Sequence, residues 1–378
     1  MSRKQSILPT KLIIAEESRE DALTKRIIAN LPDAEVSYVS ERVDPMLTAN
    51  SSEPSWKDFS QGKRTLFLRR HLGTWLKTCP GTSDHVCCNL WVVNPGEGCP
   101  FDCTYCYLQS YLSRNPTLKL YTNTSDMLAE IEKIVRAEPK RLFRIGTGEL
   151  IDSLVWDNIA GQTLELVPFF ASLDNAVLEL KTKDNFVDNL VSLKYEHKDK
   201  TVVSWSVNAK SITEKEELNT ASLAERIEAA AKVVEVGYRV GFHFDPLVYF
   251  DGWEDEYEQA LSDIFRVIDS RRVAWVSLSS LRYKPDLQQA MLHRFPNSKL
   301  PLGEQFLAED KKIRYIQPIR IRMQKFMWER LKELNSELPV YMCMESSTAW
   351  RSINGGPPAA GAELSEVFAR RLPILGQA

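Results

Sequence analysis

Histidine is scarce in this sequence: five are scattered at His71, His85, His197, His243 and His293, and none stands in a Cys/His pair at zinc-finger spacing. His243, on a predicted strand, reads as packing or as substrate binding. There is no P-loop, and the turn "GTGEL" is not a dinucleotide fingerprint. No stretch approaches the roughly 20 apolar residues of a membrane span, and Met1-Ser-Arg-Lys-Gln lacks the apolar core of a signal peptide. The expectation is a cytoplasmic protein with no membrane partner. A basic excess is also missing. The net charge is −3, so nucleic-acid binding would have to come from a local patch. Seven cysteines in a reducing compartment do not make a disulfide framework, and read instead as ligands, reactants or packing residues.

What is present is an alternation of strand and helix patterns. Lys11–Ala15, a helix over 20–31 and a strand over 34–39 predict a small α/β unit, followed by a polar connection over 42–62 and a short strand at 65–68. From residue 88 onward, branched and aromatic runs at 90–93, 142–145, 176–180, 202–207, 240–244 and 273–278 predict buried strands. Helical patterns lie between them at 125–136, 163–172, 185–193, 223–236 and 255–268. Six strands alternating with helices imply parallel pairing through right-handed crossovers. The expected fold is α/β, a partial (β/α)6 TIM-type barrel. Its divisions are an N-terminal α/β unit and connection over 1–84, the barrel over 85–300 and a C-terminal extension with a basic segment over 301–378.

The stretch "CPFDCTYCYLQSYL" begins shortly after the first of these strands, where such folds gather their reactive groups. Cys99, Cys103 and Cys106 follow a C-x3-C-x2-C spacing. Thioredoxin-type chemistry needs one CxxC and would leave Cys99 unexplained. A closed zinc shell needs a second pair. Three thiolates without a fourth suit an iron-sulfur cluster that keeps one iron open to an exogenous ligand.

At this point the residues resemble the radical S-adenosylmethionine superfamily. "CTYCYLQS" (103–110), "WSVNA" (205–209), "RIEAAAKVVEVGYRVGFHFDP" (226–246) and "DGWEDEY" (251–257) resemble its spore photoproduct lyase branch over about residues 10–345. The resemblance implies a 4Fe-4S cluster on Cys99, Cys103 and Cys106, and S-adenosylmethionine on the open iron. It also implies reductive cleavage to a 5'-deoxyadenosyl radical and an electron donor such as flavodoxin or ferredoxin.

The same resemblance assigns candidate contacts. Gly148 and Glu149 would receive the methionyl ammonium, and Lys183 the carboxylate. Ser206 and Asn208, alternating on one face of a strand, would meet the ribose, and the backbone at Asp245 the adenosine. Tyr105 and Tyr107 would contact the cofactor or relay a hydrogen atom. One element is missing. The lyase carries a hydrogen-donor cysteine where this chain has Gly146 or Thr147, neither of which holds a weakly bonded hydrogen. Cys343 is one candidate substitute. Cys79, Cys87 and Cys88 read as core cysteines or, with Cys343, as an auxiliary metal site.

A DNA substrate asks for local cations and flat side chains. "KKIRYIQPIRIR" supplies Lys311, Lys312, Arg314, Arg320 and Arg322 with Tyr315, and residues 63–77 add a second basic run with Phe67 and Trp75. The leading expectation is repair of a thymine photoproduct in UV-damaged DNA. The alternatives are a radical enzyme of the same branch acting on another nucleotide or small molecule, and a non-catalytic iron-sulfur protein that binds nucleic acid or senses redox state.

Overall fold

The strands form where branched and aromatic residues run without interruption. In the computed structural model, which describes residues 7–40, 59, 62–81, 85–113, 117–356 and 362–372, they are Leu90–Val92, Phe143–Gly146, Ala176–Thr182, Thr201–Ser206, Arg239–Leu247 and Val273–Ser280. Each pairs in parallel with the next. Helices Thr124–Ala137, Thr163–Ala171, Asp188–Ser192, Leu223–Glu235 and Trp253–Val267 make the crossovers. The polar connection read at 42–62 lies outside the described residues except for Phe59 and Gly62.

Two strands extend the expected six. Val340–Met342, inside the C-terminal extension, adds a seventh parallel strand beside Val273–Ser280. Lys77–Thr78 closes the other edge, antiparallel to Leu90–Val92. The crossover into the seventh strand is the helix Gln317–Leu334. Its first residues fall inside the segment read only as basic, and Pro318 at its first turn suits a helix start.

The sheet is curled, and buried side chains prove it. Arg144 stands on the second parallel strand and Tyr341 on the seventh, five strands apart in the sheet order. A flat sheet would separate them by about 24 Å at ~4.8 Å per strand. Instead Arg144 Nη2 lies 3.5 Å from the Tyr341 hydroxyl, and the guanidinium is 5.0 Å from the Trp275 ring on the sixth strand. Glu179 on the third strand completes this interior layer. Its Oε1 lies 2.7 Å from His243 Nε2 and accepts from Ser204 at 2.9 Å and from Trp275 Nε1 at 2.9 Å. Burial opposes ionisation of Glu179, but His243 and Arg144 outweigh it and hold the carboxyl well below the usual range.

The N-terminal sheet draws strands from both sides of the expected boundary at residue 84. Its order is Glu35–Val39, Lys11–Ala15, Thr65–Arg69, Leu118–Tyr121, Gly96–Glu97. The last two strands flank the cysteine loop, so the N-terminal unit grips that loop from both ends. Close packing fixes the residue types there. A Cβ on Gly96 would sit 2.3 Å from the Lys119 carbonyl, and Gly98 has φ of 86° with its missing Cβ facing Leu118.

Candidate active site

The loop that carries Cys99, Cys103 and Cys106 lies where two apolar cores meet. All three cysteines pack with the N-terminal core, and Tyr105 touches both cores. None of the three is in a disulfide. Cys99 and Cys106 line one small cavity with Gly98 and Leu118. Burial pushes the Cys103 thiol up to about 12 and raises Cys99 well above its ordinary value. Thiolates here therefore need a cationic partner to offset desolvation. Among the described residues no three His, Cys, Asp or Glu side chains meet around one ion. Thiolates that each hold a different iron of a cluster need not meet at one point, so this donor set is compatible with a cluster.

Asp102 clamps the loop. Its carboxylate takes Lys63 Nζ at 2.7 Å and Arg294 Nη2 at 2.7 Å. Lys63 also donates to the Phe101 carbonyl. Burial raises the Asp102 pKa, but these two cations prevail and hold it below the usual carboxylate range.

The turn after the second strand is tied directly to the cysteine loop. Tyr107 donates its hydroxyl hydrogen to the Glu149 carbonyl, and Gly98 N donates to Leu150 O at 2.8 Å. Asn94, at the end of the first strand, donates to Glu149 Oε2 at 3.0 Å and accepts from Leu150 N at 3.1 Å. The other Glu149 oxygen has no partner among the described residues, so it is available to an ammonium group. Gly148 is closely packed: a Cβ there would lie 3.1 Å from Lys181 Cβ, from the Lys181 carbonyl and from Ser153 Oγ, so these neighbours would have to give by a few tenths of an ångström.

The remaining expected contacts are redistributed. Lys183 turns toward the cysteine loop, with Nζ 3.7 Å from Glu217 Oε1 and 5.8 Å from the centre of the Tyr105 ring. Tyr105 donates to the same Glu217 oxygen. Asn208 is spent on the fold. It donates to Pro246 O at 2.9 Å and accepts from Tyr257 OH at 2.7 Å and Ala209 N at 3.0 Å. Ser206 lies beside it, buried, with its carbonyl accepting from Arg226 at 2.8 Å. Asp245, before a cis Pro246, takes Arg282 at 3.2 Å. Its pKa is pushed up by burial, but Arg282 and then Lys181 bring it below the ordinary value.

Three residues that sequence reasoning passed over hold this arrangement. Glu217 sits in a charged stretch, and its two-residue strand pairs antiparallel with Asp102–Cys103. Arg226 lies in the first turn of a helix started by a Ser222/Glu225 capping box. From there it reaches Glu217 at 2.6 Å, Ala221 O at 2.8 Å and Thr220 Oγ1 at 2.6 Å. Asp152 accepts from Leu154 N, Val155 N, Thr182 Oγ1 and Lys183 N at 2.7–3.1 Å, joining the turns after the second and third strands. The signal for the capping box was legible as S-x-x-E. Nothing local marked Glu217 or Asp152.

Most cations of the basic segment are engaged within the fold. Arg314 is buried in an ion pair with Asp310, and Lys312 lies 3.7 Å from the same carboxylate. Arg320 is buried against Glu345 at 3.0 Å, Arg322 pairs with Glu254, and Tyr315 is buried. Lys311 is exposed at the tip of a hairpin made by Phe306–Leu307 and Ile313–Arg314. On that hairpin Phe306 and Leu307 are the exposed apolar side chains. In the second basic run Phe67 and Trp75 are both core residues.

A family model for spore photoproduct lyase matches residues 14–342. The spore photoproduct lyase of Geobacillus sp. is 28% identical over 209 residues, 55% of this chain and 61% of the relative. That of Clostridium acetobutylicum is 24% identical over 251 residues, 66% of this chain and 71% of the relative. The match thus spans under two thirds of the Geobacillus protein. A solved mutant spore photoproduct lyase with bound AdoMet and dinucleoside spore photoproduct superposes with a TM-score of 0.78 at 20% identity, over 89% of this chain and 99% of that one. That likeness establishes a shared fold, and no helix of the described residues is long and apolar enough to cross a membrane. With the match to 14–342, the chain belongs to the spore photoproduct lyase family.

Proposed function

We propose that this protein is a radical S-adenosylmethionine enzyme that reverses a thymine photoproduct in DNA. The observation that carries the reading is the knitting of the cysteine loop to the Gly148–Glu149 turn through Tyr107 and Gly98. That arrangement holds the cysteine loop against the turn of Glu149, whose carboxylate has one oxygen without a partner among the described residues. A 4Fe-4S cluster on Cys99, Cys103 and Cys106 would supply one electron to S-adenosylmethionine and thereby a hydrogen-abstracting carbon radical.

The chain's own residues bind and orient. Glu149 receives the methionyl ammonium, with Asn94 fixing its rotamer, and the Gly148 backbone allows the approach. Lys183 shares its charge between Glu217 and the cosubstrate carboxylate. Ser206 presents a hydroxyl to the ribose, and the backbone around Asp245 flanks the adenine. Tyr105 stays protonated, since burial and then Glu217 raise its pKa, and donates that hydrogen to Glu217. Phe306, Leu307 and Lys311, more than the paired cations at 312–322, are the hairpin groups that a DNA duplex would meet. A flavodoxin or ferredoxin is the proposed electron donor.

A second reading is favoured by one observation. The interior layer holds a charged pair, Arg144 and Glu179, with His243 bound to the same carboxylate, and suits a smaller or more polar substrate of the same chemistry. The deciding experiment supplies anaerobically reconstituted protein with dithionite, S-adenosylmethionine and a dinucleoside spore photoproduct, and follows release of the paired thymines by mass spectrometry. Release supports the repair reading. Its absence while 5'-deoxyadenosine accumulates supports the second.

A further inference from the structure

The curled sheet does not close on itself, which leaves the barrel an open side between the strand pair Lys77–Thr78 and Leu90–Val92 and the seventh strand, Val340–Met342. Two backbone contacts cross that gap: Val86 N donates to Glu345 O at 3.1 Å, and His85 bridges Ser346. A third closure comes from the C-terminal helix, Ala362–Ala369. Its Phe368 is 2% exposed, with the ring centre 5.3 Å from that of Trp275 on the sixth strand and 5.3 Å from that of Tyr341 on the seventh. The same ring lies 4.6 Å from the guanidinium of Arg144 on the second strand. One side chain thus touches both sides of the gap. Leu364 and Leu372 are buried with it in the main core.

The helix lies past residue 342, where the family match ends, so its role is read from its own contacts. What Phe368 covers is a cation short of partners. Arg144 is buried, and its Nε and Nη1 have no hydrogen-bond partner among the described residues. Glu179 Oε2 lies 3.9 Å from Nε, past hydrogen-bond range. Only Nη2 is engaged, by the Cys88 sulfur at 3.2 Å and the Tyr341 hydroxyl at 3.5 Å. The faces of Phe368, Trp275 and Tyr341 supply the remaining contact with the charge. Cys343 packs against the same core, while Cys87 is exposed. A buried donor without a partner is costly, and a water molecule would relieve that cost. This layer therefore draws water along any path that reaches it.

We propose that the C-terminal helix is a stopper, seated by Phe368, that seals the open side of the barrel against water and small solutes and confines access to the mouth beside the cysteine loop. The seal itself makes no assumption about the reaction. Its use rests on the radical reading above, because a closed chamber keeps a reactive intermediate from the wrong partner. A small alcohol that enters gives a hydrogen to the 5'-deoxyadenosyl carbon in the substrate's place. The alcohol's C–H bond breaks, the new C–H bond completes 5'-deoxyadenosine, and the alcohol leaves as a carbon radical.

The seal is tested on the full-length protein with phenylglyoxal, a small reagent that modifies arginine, followed by peptide mapping. Arg271, whose side chain is 82% exposed, is expected to react in every variant, and Arg144 to stay unmodified in wild type. Phe368→Ala should raise modification of Arg144 about tenfold or more, and Phe368→Leu, which refills most of the volume, by much less. Leu190→Ala, a core deletion in the crossover helix Asp188–Ser192, controls for general loosening and should leave Arg144 protected. Arg144 unreactive in Phe368→Ala, or equally reactive in Leu190→Ala, overturns the stopper.

The use of the seal is tested on the anaerobically reconstituted holoenzyme with dithionite, S-adenosylmethionine and ethanol deuterated at its methylene carbon. Phe368→Ala is expected to place about fivefold more deuterium in 5'-deoxyadenosine than wild type does. Equal deuterium in both overturns the protective use and leaves the seal and the radical reading standing. If wild type forms no 5'-deoxyadenosine, the radical reading and the protective use fall together, and the phenylglyoxal result still decides the seal.

Discussion

The guanidinium of Arg226 lies 2.6 Å from the carboxylate of Glu217, with side chains 0% and 1% exposed. Through Glu217 the pair also fixes Tyr105 and Lys183. Removing one partner of a buried pair leaves the other charge uncompensated, at a cost of about 3–5 kcal/mol. Arg226→Met should therefore lower stability by roughly that amount in urea unfolding. A loss under about 1 kcal/mol would mean that the pair is not buried as described.

Acid should act at the same place. Burial opposes ionisation of Glu217, but Arg226 and Lys183 bring its pKa from 4.5 down to about 2. A depressed carboxyl stabilises the fold fully above its unfolded value and loses that contribution as pH falls toward its folded value. This group alone contributes on the order of 3 kcal/mol, lost between about pH 4.5 and 2. Glu217→Gln should flatten the acid limb of a stability-versus-pH curve. An unchanged limb contradicts the assignment.

Asn94 tests the cosubstrate contact without touching the cluster. Its single bond to Glu149 is worth about 1 kcal/mol. Asn94→Ala should weaken S-adenosylmethionine binding about fivefold in equilibrium dialysis, with iron content unchanged. Unaltered affinity would remove Glu149 from the site.

The basic segment separates fold from recognition. Arg320→Ala should destabilise the protein by about 3–5 kcal/mol, because Glu345 and the Tyr315 carbonyl lose a buried partner. It should leave the salt dependence of DNA binding unaltered. Lys311→Ala should spare stability and lower the log–log salt slope by about one. The reverse pattern would restore the segment as a phosphate-binding strip.

These residues show what was legible. The six central strands could be read because branched and aromatic runs such as Val202–Val203 and Val240 need no distant partner to declare them. Val340–Met342 could not, since three residues after an 18-residue helix carry too little pattern. The alternation in "IRIR" at 319–322 masked the start of that helix. The C-x3-C-x2-C spacing raised the expectation of a cluster without help from any distant residue. Glu217 and Tyr105 are 112 residues apart, and Arg320 and Glu345 are 25 apart, so only folding reveals which polar groups become partners.

The most direct test of the central claim is reductive cleavage of S-adenosylmethionine by anaerobically reconstituted protein. The account predicts 5'-deoxyadenosine after dithionite addition, and none from a Cys99→Ala, Cys103→Ala, Cys106→Ala protein that folds but holds no iron. Wild-type protein loaded with four irons that binds S-adenosylmethionine yet yields no 5'-deoxyadenosine would contradict it.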